Sequence, residues 1–67
     1  MVEPLELGRF ISTCRKEKNL TQKQLGEELG VTDRAVSKWE NGKSFPDISL
    51  IEPLCQILDI SVGEFML

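Results

Sequence analysis

The feature that most constrains this chain is the stretch from Thr21 to Asn41, where two helix starts follow each other with only a glycine stop between them. Thr21-Gln22-Lys23-Gln24 has the spacing of a capping box, in which the Thr hydroxyl accepts from the Gln24 amide and the Gln24 side chain reaches back. Helical spacing continues through Leu25 and Leu29. Gly30 then turns left-handed without the penalty that a Cβ brings. Thr32 can cap a second time, with Asp33 in the positive first turn. Val36 and Trp39 share a face at i, i+3, and Asn41-Gly42 closes the segment.

The flanks supply what such a pair must pack against. Leu7, Phe10, Ile11 and Cys14 recur at helical spacing behind Pro4, with Glu3 and Glu6 at the positive end and Arg15, Lys16 and Lys18 at the negative end. Asn19, which tolerates left-handed geometry, ends that helix. Gly26 costs roughly 1 kcal/mol inside a helix, so a packing reason is expected, namely close approach of the following helix. After the loop Ser44-Phe45-Pro46-Asp47, a fourth helix carries Leu50, Ile51, Leu54, Ile57 and Leu58. Either Asp47 or Ser49 can cap it, and Pro53 favours the later start because proline is least costly near a helix beginning. A last turn or two runs from Ser61 to Met66. The expectation is an all-α fold of five helices at about 4–18, 21–29, 32–41, 49–58 and 61–66, in one domain spanning residues 1–67.

Charge and composition narrow the function classes. The net charge is −3, yet all eight Lys and Arg fall between Arg9 and Lys43, where only five acids oppose them. The other six acids lie in flanks without a base. Local potential rather than the total steers a polyanion, and the helix–turn–helix order is the unit that places a helix in the major groove. No apolar run approaches the length of a membrane span and the N-terminus lacks a basic leader, so a cytoplasmic protein is expected. Cys14 and Cys55 sit in apolar helical patterns and read as free buried thiols. With no His and only two Cys, neither a metal site nor a cofactor is expected. No nucleophile stands beside a base, which argues against an enzyme.

Taken together, Leu20-Thr21-Gln22-Lys23-Gln24-Leu25-Gly26, Leu29-Gly30-Val31-Thr32, Val36-Ser37-Lys38-Trp39-Glu40-Asn41-Gly42 and Pro46-Asp47-Ile48-Ser49-Leu50 resemble the phage repressor and Cro type of helix-turn-helix, the xenobiotic-response-element family. The resemblance implies a lambda-repressor-like domain in which helices 2 and 3 form the motif. It places Asp33, Arg34 and Lys38 where base edges are read. It places Gln22, with Lys23 beside it, and Asn41 and Lys43 where phosphates are gripped, and Arg15 with Glu40 as an ion pair tying the first helix to the third. Chemistry agrees: Arg34 can offer two donors to guanine and Asp33 can accept from cytosine. Asp33 can equally serve only the helix dipole, and Arg15 can also reach a phosphate. Trp39 reads as core.

The resemblance also implies a DNA-binding regulator, a repressor acting as a homodimer on a palindrome. Ile60, Val62, Phe65 and Met66 are the candidate dimer patch, although Val62 and Phe65 can instead cover the end of the core. The rival is an antitoxin or adaptor that holds a protein partner, and a missing C-terminal effector domain is a further expectation. Three departures from the family pattern stand out: Gly26 in place of Ala, Asp59 in place of the Gly before Ile60, and Gly63 in place of an acid. Gly26 should leave the packing intact at a small cost, Asp59 should be strained if left-handed, and Gly63 should loosen the last helix.

Overall fold

Capping chemistry sets the element boundaries. In the computed structural model, which describes residues 3–66 and the side chains of 3–65, the order is α1 (Pro4–Glu17), α2 (Gln22–Leu29), α3 (Asp33–Glu40), α4 (Ile48–Leu58) and α5 (Val62–Met66). No strand occurs among the described residues. Pro4 opens α1, Arg15 and Lys16 face its negative end, and Asn19 beyond it takes φ 57°. The capping box of α2 is complete: the Gln24 amide donates to Thr21 Oγ1 at 3.0 Å and the Thr21 amide to Gln24 Oε1 at 2.8 Å. Gly30 follows at φ 76°, ψ 26°, and the Val31 amide donates to the Gly26 carbonyl at 2.8 Å. Thr32 then accepts from the Ala35 amide at 3.2 Å and starts α3.

The fourth helix departs from the sequence expectation. Asp47, not Ser49, caps it: Asp47 Oδ2 accepts from the Ser49 amide at 3.0 Å, so Pro53 lies inside α4. Proline removes the hydrogen bond to the carbonyl four residues back, which belongs to Ser49. Ser49 is exposed, where water can serve that carbonyl, and the cap therefore outweighs the proline. The last helix is also better anchored than Gly63 suggests. The Glu64 amide donates to Ser61 Oγ at 3.0 Å, and the Ser61 amide donates to Glu64 Oε1 at 3.3 Å, a second capping box.

The core holds Leu7, Ile11 and Cys14 from α1, Leu25 from α2, Val36 and Trp39 from α3, Leu54, Cys55 and Leu58 from α4, and Phe65 from α5. Helix α3 packs against both α1 and α2, while α5 rests on α4. Two glycines permit this. A Cβ on Gly8 would stand 2.3 Å from the Trp39 carbonyl oxygen and 2.7 Å from that of Glu40, so the backbones of α1 and α3 touch. At Gly26 the obstacle would be the Val31 carbonyl oxygen at 2.7 Å. The packing reason at Gly26 is therefore the turn itself rather than the body of the next helix, and an Ala there could not enter without a shift.

Phe65 is only 1% exposed. That corrects its assignment to a dimer patch: the ring closes the end of a small core, and burial of so large an apolar side chain decides its place. Ile60 is half-buried and Val62 is 44% exposed, while the Met66 side chain lies outside the described residues. Asp59 does take left-handed geometry, at φ 59°, with its carboxylate 3.3 Å from Lys18 Nζ.

Candidate nucleic-acid interface

Helix α3 is anchored on one side and bare on the other. Val36 and Trp39 are buried, whereas Asp33, Arg34 and Lys38 are exposed. Arg34 and Lys38 are one turn apart and therefore lie on the same strip. The Lys43 amide donates to the Lys38 carbonyl at 2.9 Å and the Gly42 amide to the Trp39 carbonyl at 3.1 Å, with Gly42 at φ 72°, which ends α3 and sets Lys43 just past its C-terminus. Among the described residues, only Arg15 and Lys18 pair with a carboxylate. Lys23, Arg34, Lys38 and Lys43 are exposed and have no such partner, so their charge is directed to solvent.

Behind this face lies a buried polar hub. Arg15 Nε donates to Glu40 Oε2 at 2.7 Å and Nη2 to Oε1 at 3.1 Å, a two-point contact between the ends of α1 and α3. Arg15 Nη1 donates to the Leu20 carbonyl at 2.7 Å. The side chains of Arg15 and Glu40 are 10% and 7% exposed, so all three guanidinium nitrogens face inward and the residue is structural. Burial pulls the Glu40 carboxyl upward, but hydrogen bonds from Arg15 and Gln22, the Arg15 charge and the Ser12 hydroxyl outweigh it and hold the group below its ordinary value. No buried side-chain nitrogen or oxygen among the described residues lacks a partner.

Two expected phosphate ligands are engaged within the chain. Gln22 Nε2 donates to Glu40 Oε1 at 3.0 Å. Asn41 Nδ2 donates to the Ser37 carbonyl at 2.8 Å, closing the C-terminal turn of α3. The link between Gln22 and Glu40 was not legible in the sequence, because it joins residues on different helices. Gly8 was missed too, although it lies on the buried stripe of α1 between Leu7 and Ile11. The Ser61–Glu64 box was findable from its Ser-x-x-Glu spacing. A groove of about 360 Å³ lined by Leu20, Gln24, Glu27 and Glu28 lies elsewhere on α2, and its two carboxylates make it unsuited to a polyanion.

Two short capped helices across a left-handed glycine turn, braced by three others and presenting one bare cationic strip, define a helix-turn-helix domain. A family model described as helix-turn-helix matches residues 11–65, and the chain belongs to that family. It is 34% identical over 62 residues to the HTH-type transcriptional activator BcrR of Enterococcus faecalis, covering 92% of this chain and 30% of that protein. It is also 34% identical over 62 residues to the antitoxin PezA of Streptococcus pneumoniae, covering 87% of this chain and 39% of that one. The chain thus spans well under two thirds of these relatives. Among solved structures, the P22 c2 repressor in complex with a synthetic operator superposes with a TM-score of 0.83 at 29% identity, over 88% of this chain and 89% of that one. The restriction-modification controller protein C.AhdI of Aeromonas hydrophila superposes with a TM-score of 0.84 at 25% identity, over 94% and 91%. Among the described residues no helix is long and apolar enough to cross a membrane.

Proposed function

We propose that this chain is a sequence-specific double-stranded DNA-binding module of a transcriptional regulator, a repressor that acts as a symmetric dimer on a palindromic operator. The observation that carries the reading is the bare strip of α3: Arg34 and Lys38 exposed without a carboxylate partner, with Lys43, exposed and equally unpartnered, just past the end of the helix. Asp33 and Arg34, on the first turn, enter the groove deepest and read base edges, with Lys38 one turn further along. Gln22, Lys23, Asn41 and Lys43 flank the strip and contact phosphates, the first two helped by the unpaired amides and dipole at the start of α2. Asn41 would exchange its contact with Ser37 for one with a phosphate. The printed context of the P22 c2 repressor, an operator complex, supports the same partner.

One short helix reads only a few base pairs, so useful specificity needs two half-sites roughly 34–36 Å apart. With Phe65 buried, Ile60 and Val62 are what remains of the proposed self-association surface among the described side chains, and Phe45 and Ile48 are further exposed apolar residues. The chain works in the cytoplasm and needs neither catalysis nor cofactor for this role. Selection of bound duplexes from a random pool, followed by titration against salt, tests the reading. A palindromic consensus with a steep salt dependence is expected, and the same weak affinity for every sequence would refute it. A second reading, a protein-holding antitoxin, is favoured by the similarity to PezA. Tight DNA binding by the chain alone would count against it, as would sedimentation as a free monomer in the presence of candidate protein partners.

A further inference from the structure

The Gln22–Glu40 hydrogen bond joins the first residue of α2 to the last residue of α3. We infer that Glu40 is a positioning residue for DNA binding, holding the Gln22 amide in one orientation so that its second N–H is presented to a backbone phosphate. This rests on the DNA-binding reading above, and it assigns to Glu40 a task beyond the ion pair with Arg15.

The geometry carries the inference in three steps. First, Glu40 is nearly fully buried and its two oxygens already receive Arg15 at 2.7 and 3.1 Å, so the carboxylate is immobile. Second, a carboxylate only accepts, so Gln22 must turn its Nε2 toward it, and the flipped amide would set oxygen against oxygen. The flip ambiguity of a surface glutamine is thereby removed, and one amide proton is left for an outside acceptor. Third, the same guanidinium donates to the Leu20 carbonyl just ahead of α2. The backbone around Gln22 and its side chain are therefore referred to one fixed point at the end of α3, next to Asn41 and three residues from Lys43. Gln22 and the loop after α3 then form two jaws of set separation, which is what a phosphate backbone of regular spacing requires. Freezing the side chain before binding also removes an ordering cost at the moment of contact.

The test combines one measurement on the unaltered protein with one mutant cycle. In the free protein, NMR relaxation of the Gln22 side-chain amide should give an order parameter near that of rigid backbone, about 0.85, while the exposed Gln56 amide falls below about 0.6. Equal mobility of the two would overturn the inference. Removing Glu40 alone would strand a buried guanidinium, so the cycle replaces both charges with apolar residues, Arg15→Met with Glu40→Leu, a kind of exchange that folds tolerate well. Gln22→Ala should cost about tenfold in affinity for the selected duplex in the wild-type background, as expected for one hydrogen bond to a charged group. In the Arg15→Met/Glu40→Leu background the same change should cost threefold or less. An equal loss in both backgrounds would show that Gln22 acts without Glu40. A lowered Tm with unchanged affinity for Gln22→Ala would show that the link only holds helices together. Failure of the wild-type protein to bind any duplex would remove the DNA reading and this inference with it, even if the Gln22 amide were rigid.

Discussion

Gly8→Ala isolates the closest contact in the fold. The added methyl group would meet the Trp39 carbonyl oxygen at 2.3 Å and the Glu40 carbonyl oxygen at 2.7 Å, against an ordinary carbon–oxygen contact of about 3.4 Å. Both obstacles are backbone, so no side chain can swing aside and α1 must retreat from α3 by about 1 Å. Retreat loosens Ile11 and Leu7 against Trp39 and lengthens the Arg15–Glu40 contact from 2.7 Å. Overpacking of this kind costs about 3 kcal/mol at the upper end of its usual range. Alanine returns up to about 1 kcal/mol in helix propensity. The net loss is about 2 kcal/mol, which in a domain of this size lowers Tm by roughly 8–16 °C. Thermal melts by circular dichroism measure it, with Gly63→Ala as the control. Gly63 has only Ser61 Oγ at 3.8 Å in the way, so its alanine variant should gain about 0.5–1 kcal/mol. A Gly8→Ala variant as stable as the wild type would refute the claim that touching backbones demand the glycine.

Further outcomes follow from the site and the core. Arg34→Ala should cost about 1–3 kcal/mol in affinity and relax preference at one base position, whereas Lys43→Ala should weaken all duplexes alike and lower the salt slope by about one. Equal and sequence-independent losses in a binding titration would sink the assignment of Arg34 to bases. Glu40 has a lower pKa folded than its ordinary 4.5, so its stabilising share is whole above that value and is lost as pH falls through the folded pKa. Urea midpoints should therefore decline from about pH 5 to about pH 3, and less steeply in Glu40→Gln; identical slopes would contradict this. Cys14 and Cys55 are buried and burial pushes both thiols up, with Glu17 and Glu64 adding to the effect at Cys14. A thiol reagent should react slowly with the native chain and fast in urea, and rapid labelling of the native chain would show that the core opens readily.

Part of this architecture is a local matter and could be read directly. The Thr21 and Thr32 caps, the Gly30 stop and the apolar stripes of α1 and α3 depend on neighbours within one or two turns, so spacing alone reveals them. The Arg15–Glu40 pair was legible only through family resemblance, since no local rule joins residues 25 positions apart. At the start of α4 two local signals compete, and Asp47, one of the two caps that the sequence offers, is the one used. Pro53 argued for the later cap, and the exposure of Ser49 that makes the earlier one tolerable is a property of the folded surface.

The sequence by itself determined the helices, their order and the side of α3 that stays wet, because capping and periodicity act over short range. Only the tertiary structure decided that Phe65 belongs to the core, that Gly8 is the point where two backbones meet, and that Gln22 answers to Glu40. Each of those depends on segments brought together by burial, and burial is settled by the whole chain at once.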